Sequence, residues 1–528
     1  CQLRPAVRVA QEVGARLGER QILLAEVQSR GGQIVTSPAP ERILYIAHDH
    51  LNRDYGVLKT AKRATDLIVL VESARMTSGH PWHPERLFFL ISSARHFASE
   101  LEAEGYRVRY VKAQTTIDGL KVIREEFGNL PIHAAEPSSF TQLKQLRDFG
   151  VEFTPNDFFL TSRPDFKLWA DRQKTFVMEN FYRAQRVRLG IMVSGGEPDG
   201  GRWNFDADNR LPPPKNYTWP PYLEHKRDEI DQSVAAKLGM TPTSTWATTR
   251  AGALAQLKNF IDNHLAGFGP YEDAIAGDNW ALHHSLLSPY LNNGLLHASE
   301  VIEAVLTAYR AGAPIASVEA FVRQVIGWRE YINGMYWFLG PDYREKNELQ
   351  ATRKLLPLFT DSSKTQMACV KQVVGDVETR AWAHHIPRLM VLSNLALVTG
   401  VNPQEFLDWM REQFIDAAEW VMVPNIIGMA THADGGLLMT KPYAAGGAYL
   451  NKMTQSCKGC KYDPKKRVGE DACPFTTLYW DFLDRHRDRF VKNHRMSQQI
   501  FGLNRLSDLP ELRVRAQQVL ASLDEGQI

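Results

Sequence analysis

Cysteine is scarce in this chain, with five residues among 528. That is far too few for a disulfide-dense secreted scaffold. Charge of one sign is also missing: 62 Lys and Arg face 60 Asp and Glu, leaving a formal charge of +2. A uniformly basic coat is therefore excluded, although a local patch can hide inside a neutral total. No run approaches the roughly 18–20 apolar residues of a membrane-spanning helix. The first 40 residues lack the apolar core of a secretory signal, because "QILLAEVQ" is too short and too polar. They are set aside as a leader without an assigned role, and the expected compartment is the cytoplasm, with no membrane partner. Neither GxGxxG nor GxxxxGK[ST] occurs, which removes the dinucleotide fingerprint and the P-loop.

What is present can bury large cores, with 44% hydrophobic and 10% aromatic residues. The length suits two to four domains at about 150 residues each. "ILYIA" (43–47) and "LIVLV" (67–71) are short, β-branched apolar runs that suit buried parallel strands. Residues 85–104 carry apolar positions at helical spacing up to Gly105. Strand "RVRYV" (107–111), helix 117–127 and strand "IHAA" (132–135) follow, and the alternation runs on to "FFL" (158–160). The pattern predicts a doubly wound α/β domain over 41–165. Residues 166–248 are expected to form an interdomain connector. Its part from 193 to 245 is dense in Gly, Pro, Asp and Asn and too irregular for helix or strand, though Trp203, Tyr217 and Trp219 should pack. From 249 to 528 the signals are helical and predict an all-α domain. Val318, Phe321, Val325, Trp328, Ile332 and Met335 share one face. Residues 386–399 are apolar nearly all round, ending at Gly400. Asn402, Pro403 and Glu405 supply an N-cap, an N1 proline and an N3 glutamate.

The cysteines are grouped. Cys457-x2-Cys460-x12-Cys473, with Cys369 far upstream, offers the four thiolates that an iron–sulfur cluster or a structural zinc requires. Zinc ribbons usually take two CxxC pairs and only one is here, which favours iron–sulfur. Zinc, and free or bridged thiols, stay open on the residues alone. Around this group, residues 450–495 hold eleven Lys or Arg against six acids. An excess of five suits contact with a phosphate backbone. It also suits a solvated helix with Arg–Asp pairs across 484–489. His384 and His385 stand before Pro387 at a helix entry, where a histidine can act as a general acid near neutral pH or simply cap and pack.

Several ordered motifs carry a resemblance. They include "FYRAQRVRLGIMV" (181–193), "GGRWNFDADNR" (200–210), "FGPYEDAI" (268–275), "HSLLSPYLNNGLL" (284–296) and "FVRQVIGWREYINGMYW" (321–337). "HHIPRLMVLSN" (384–394), "DAAEWVMVPNIIGMATHADGG" (416–436) and "KPYAAGGAYLNKM" (441–453) lead into "CKGCKYDPKKRVGEDACPF". From about 42 to 495 the chain resembles the bacterial iron–sulfur cryptochrome/photolyase family, the group containing prokaryotic (6-4) photolyases. The resemblance implies an antenna-type α/β domain followed by a helical domain with U-shaped FAD. Tyr271, His284, Ser285, Ser288 and Asn292 would contact its phosphates and ribityl chain, and Gln324, Trp328 and Arg329 would line the cavity. Arg388 and Asp416 would pair beside the flavin ring near Asn394. It makes Cys369, Cys457, Cys460 and Cys473 the ligands of a 4Fe–4S cluster.

The implied reaction is light-driven repair of a pyrimidine (6-4) pyrimidone photoproduct flipped out of UV-damaged DNA. His385 would be the acid and His384 its neighbour. Arg202, Trp203, Tyr443 and Lys452 would meet the lesion or its flanking backbone, and the protein is expected to be a monomer. Three departures stand out. His48-Asp49-His50-Leu51 replaces a Gly-Asp-Gln-Leu turn that helps hold a 6,7-dimethyl-8-ribityllumazine antenna, for which Asp49 and Glu72 would be contacts. In the electron relay Trp409 is retained, but Met410 follows it and Asp361 stands where a Trp is expected. Met422 replaces a Glu near the flavin. The competing readings are a blue-light signalling cryptochrome without repair, favoured by the altered relay, and a primase-like iron–sulfur enzyme.

Overall fold

The computed structural model describes residues 39–277 and 279–528; residues 1–38 of the expected leader, 1–40, lie outside them. Five parallel strands form one sheet in the order β3-β2-β1-β4-β5. They are β1 Arg42–Ile46, β2 Asp66–Ser73, β3 Arg107–Ala113, β4 Ile132–Ala135 and β5 Glu152–Thr154. The run predicted as "LIVLV" is buried on both faces because helices cover both sides of the sheet. Helix Pro84–Ala103 fills one side with Phe89, Ala94, Phe97 and Leu101. Helix Thr116–Phe127 covers the other with Leu120 and Ile123, packed with Val69 and Val71.

The order reverses between β1 and β4, the switch point where open α/β sheets form a crevice. Here His50 stacks on Phe158 at 4.4 Å, and the Asn52 amide donates to the Gly294 carbonyl at 3.0 Å. "FFL" is thus not a strand. It leaves the sheet so that Phe158 can pack on His50, while Phe159 meets Trp420 at 5.0 Å.

Helix Met178–Leu189 lies inside 166–248 and buries Phe181, Tyr182 and Arg186. One expectation, about the irregular stretch 193–245, needs correction. A second helix, Glu229–Leu238, occupies a stretch read as irregular. Asp228 caps it by accepting from the Asp231 amide at 3.0 Å, and Gly239 ends it at φ 65°. Val234 and Ala235 pack with Phe88 and Ile91 of helix Pro84–Ala103. The short polar sequence masked its narrow apolar face. Trp219 packs as expected, 4.7 Å from Tyr217 and 5.6 Å from Tyr271.

The region after 249 is helical. Ile315–Val322, Arg323–Arg329 and Glu330–Leu339 run on as one rod whose middle part makes wide π-type turns. The same turns recur at Pro387–Ser393 and Pro424–Ala430. Such turns are frequent at functional sites. Asn394–Thr399 is fully buried and ends at Gly400, φ 76°. Asn402 caps Pro403–Gln413, its side-chain oxygen accepting from the Gln404 and Glu405 amides. Among the described residues no helix is long and apolar enough to cross a membrane.

Candidate active site and cysteine centre

Arg388 projects from the wide turns of Pro387–Ser393 and grips Asp416 with two parallel hydrogen bonds of 2.9 Å. Its Nε donates to the Ala383 carbonyl at 2.6 Å. Asp416 is further held by the Ser288 hydroxyl at 2.6 Å, and the Asn292 amide donates to the Asp416 carbonyl at 2.8 Å. A bidentate guanidinium–carboxylate pair is both strong and rigid. Four of the expected cofactor residues (Ser288, Asn292, Arg388 and Asp416) thus form one cluster. Asn394 is tied instead to the Ala445 backbone, donating to its carbonyl at 2.9 Å and accepting from its amide at 3.1 Å.

Beside this cluster lie the histidines. His284 stacks on His384, ring centroids 4.0 Å apart. His385 stands 5.8 Å from His384 and 5.6 Å from His284, with Nε2 3.5 Å from the Asp273 carboxylate. His384 is buried at 3% exposure, whereas the His385 side chain is 44% exposed. Burial, followed by neighbouring positive groups, pushes His284 and His384 well below the ordinary histidine value, so both are neutral.

Charged residues that the sequence reading missed stand close by. Arg323 meets Glu272 at 3.4 Å, Asp206 at 3.3 Å and Glu319 at 3.5 Å. Burial pushes the Glu272 carboxyl up to about 7, partly opposed by Arg323 and His385. Glu319 and Arg323 look like a surface i,i+4 pair in sequence, yet both are buried; only the position of their helix reveals this.

Other expected contacts are placed differently. Arg329 pairs with Glu330 at 2.9 Å and donates to the Phe158 and Leu291 carbonyls, which makes it a brace between segments. Gln324 and Trp328 are half-buried on the same rod, and Ser285 is half-buried with its hydroxyl accepting from the Leu287 amide. Tyr271 packs with Tyr217, Trp219 and His283. Glu72 is engaged by protein partners. Arg95 donates to it twice, Tyr110 once and Lys237 once, which uses the acceptor sites of a 2%-exposed carboxylate. Asp49 lies 4.0 Å from His50, and both ring nitrogens of His48 are buried without a partner.

Trp409 is buried, stacked on Phe406 at 5.7 Å and 5.0 Å from Phe359. Met410 and Met422 are buried, while Asp361 caps an exposed turn. On the surface, Arg202 pairs with Asp208 at 2.7 Å, and Trp203 lies under Arg186 at 5.3 Å. Tyr443 is half-buried, and Lys452 is exposed. In the basic stretch, Lys466, Arg467, Arg485, Arg487 and Arg489 pair with acids, whereas Lys452, Lys458, Lys461, Lys465 and Lys492 form no ion pair among the described residues.

The four grouped cysteines converge. Cys369 sits in the first turn of helix Ala368–Arg380, Cys457 in the turn Ser456–Gly459, Cys460 just after it, and Cys473 caps helix Pro474–Arg485. All are unbridged thiols, and all line one enclosed space with Met367, Leu450, Tyr462 and Phe475. Burial first, and then the other thiols, push Cys457 up to about 11 and hold Cys369 well above the ordinary thiol value. A separate cavity of about 350 Å³ lies between 347–353 and the end of helix Asn394–Thr399. Arg353 and Arg485 there bind the Thr399 and Val398 carbonyls, and none of the expected cofactor residues, His384, His385 or the grouped cysteines lines it.

Comparison with known proteins bears on this arrangement. Residues 44–250 match the family described as deoxyribodipyrimidine photo-lyase-related protein. A (6-4) photolyase of Agrobacterium fabrum is 39% identical over 506 residues, covering 92% of this chain and all of the relative. The fold is similar to that of a bacterial class III photolyase from Agrobacterium tumefaciens, with TM-score 0.54 and 18% identity over 94% of this chain and 100% of the other. It is also similar to Synechocystis sp. PCC6803 cryptochrome, with TM-score 0.51 and 15% identity over 78% of this chain and 88% of that one. A parallel sheet followed by a helical region, and near-full-length identity of 39%, establish that this chain belongs to the bacterial (6-4) photolyase family.

Proposed function

We propose that this protein repairs pyrimidine (6-4) pyrimidone photoproducts in UV-damaged DNA by light-driven electron transfer from reduced FAD, acting as a cytoplasmic monomer. The observation that carries the reading is that His385, on the turn beside the Arg388–Asp416 pair, is the exposed member of an otherwise buried histidine group.

The residues present fit FAD. Buried polar atoms without hydrogen-bond partners gather in this region, among them His284 Nε2, His384 Nε2 and Glu272 Oε2. A polar cofactor is the kind of group that satisfies such atoms. Arg388 would face the flavin ring and favour its anionic form, with Asp416, Ser288 and Asn292 keeping the guanidinium in place. Bound reduced flavin supplies the electron when excited by light. His385 holds a proton at an imidazole nitrogen, gives it to the damaged base and recovers it, with Asp273 orienting the ring. His384, neutral and packed against His284, fixes the backbone from which His385 projects.

The four converging thiols fit a 4Fe–4S cluster by donor type and number. A 6,7-dimethyl-8-ribityllumazine antenna would rest on Asp49 and on Glu72, whose carboxylate is already held by Arg95, Tyr110 and Lys237. Trp203, Tyr443 and the unpaired lysines are the proposed contacts to DNA. Illumination of reduced protein with oligonucleotides carrying each lesion type tests the reading; unchanged amounts of the (6-4) product would sink it. The replaced relay positions, Asp361 and Met410, favour a second reading as a signalling cryptochrome, which the same experiment separates.

A further inference from the structure

We propose that Trp382, Trp280 and Tyr222 form a second electron relay, which carries electrons from the surface to the flavin site. The proposal rests on the reading of that site as one for FAD. Trp382 borders it: the indole Nε1 lies 3.5 Å from the Ser288 hydroxyl, and the Arg388 guanidinium lies 5.9 Å from the ring centre. From there the rings step outwards in edge-to-face contact. Trp280 is 5.5 Å from Trp382, and Tyr222 is 4.9 Å from Trp280. Trp382 is buried, whereas Trp280 and Tyr222 are half-buried, so the row reaches water. Trp246 packs 6.2 Å from Trp382 and 6.3 Å from Trp280, but it is fully buried and offers no exit. Trp409 has no such continuation. Among the described residues its ring neighbours are Phe359, Phe406 and Phe414, and plain benzene rings are far harder to oxidise than indole or phenol.

Each ring suits its place. Trp280 Nε1 is buried without a hydrogen-bond partner, so no base takes its proton and traps an oxidised indole there. The Arg380 guanidinium lies 5.0 Å from the Trp280 ring and Arg388 lies beside Trp382, which makes a lasting positive charge on either indole unfavourable. Asp376 and Asp416 pair with these arginines and temper the effect. Tyr222 differs, because an oxidised phenol sheds its proton to water and becomes neutral. In one cycle Trp382 gives one electron to oxidised, light-excited FAD, Trp280 refills Trp382, and Tyr222 refills Trp280. Tyr222 releases its phenolic proton to water, and a dissolved thiol returns a hydrogen atom to the phenoxyl oxygen. Two cycles supply the two electrons of reduced FAD and two protons, and the two thiyl radicals join as one disulfide.

The test uses the full-length, flavin-loaded protein with dithiothreitol under blue light and reads the loss of oxidised-flavin absorbance without any DNA. Rates are compared per bound flavin, measured in the dark, so that a variant binding less cofactor does not pass for a broken relay. Trp280→Phe should slow photoreduction by about tenfold or more, and Trp280→Tyr, which restores an oxidisable ring, should recover most of the rate. Trp409→Phe should slow it less than Trp280→Phe. An unchanged rate in Trp280→Phe, or a larger loss in Trp409→Phe, overturns the relay. The unsubstituted protein decides the exit even if a variant misfolds. Frozen under light without thiol, it should give the paramagnetic resonance spectrum of a tyrosyl radical, narrowed by ring-deuterated tyrosine. Absence of that signal, or its persistence in Tyr222→Phe, overturns Tyr222 as the terminus. Protein that photoreduces by this route yet leaves the (6-4) product untouched refutes the repair reading and leaves the relay standing. Protein that repairs while Trp280→Phe photoreduces at the full rate refutes the relay alone.

Discussion

His385 and His384 are neighbours in sequence but differ chemically, and the difference is exposure. His384 is buried and held neutral, whereas His385 is exposed beside Asp273. Replacing His385 with Ala should leave the flavin absorption spectrum intact and cut repair by about 10²–10⁴-fold, the usual worth of a positioned acid. Full repair in that variant would remove its role. Glu272 gives a second expectation at this scale. Its carboxyl is raised from an ordinary 4.5 to about 7, chiefly by burial, so the folded protein binds a proton that the unfolded chain has lost between those values. Its contribution to stability is complete below pH 4.5 and fades as pH rises through 7. Thermal unfolding of the unsubstituted protein should therefore lose ground across that window relative to Glu272→Gln; parallel profiles would show that the carboxyl does not titrate there. The sequence pointed to the histidine pair through its place before a proline. It did not point to Glu272 or Arg323, because a single acid or base carries no mark of burial in the sequence.

Helix ends were legible, and the course of helices between them was less so. The Asn402-Pro403-Glu405 start and the Gly400 stop follow from local chemistry, since a cap oxygen and a left-handed glycine act within one turn. The wide turns at Arg323–Arg329 and Pro387–Ser393 carry no comparable signature and arise from packing. Gly334 shows how close that packing is. A Cβ added there would lie 2.0 Å from Cδ2 of Phe166, on the helix Arg163–Ala170. Gly334→Ala should therefore destabilise the protein, despite the higher helix propensity of alanine. A loss of about 1–3 kcal/mol is expected by chemical denaturation, the usual range for overpacking. Unchanged or increased stability would mean that Phe166 moves aside freely.

Across the whole molecule the cysteine centre joins segments that are far apart in the chain. Helix Ala368–Arg380 supplies one thiol and residues 457–473 supply three, so a cluster there would tie the helical core to its C-terminal part. Purified protein should contain about four iron per chain. Cys369→Ser should lower the iron content and destabilise the contact between helix Ala368–Arg380 and the turn Ser456–Gly459; zinc in place of iron would overturn the cluster assignment. The sequence by itself determined which residues could do chemistry: the CxxC with a later cysteine, the histidine pair, and the alternation that builds a parallel sheet. These are legible because ligand type, capping and hydrophobic period are local properties. Only the tertiary structure decided how they are used. It brought Cys369 to the other three thiols, joined Arg388 to Asp416, spent Glu72 on Arg95, Tyr110 and Lys237, and gathered His284 with His384 and His385. Each depends on elements separated by tens to over a hundred residues, whose meeting is fixed by the burial of helix faces rather than by any local pattern.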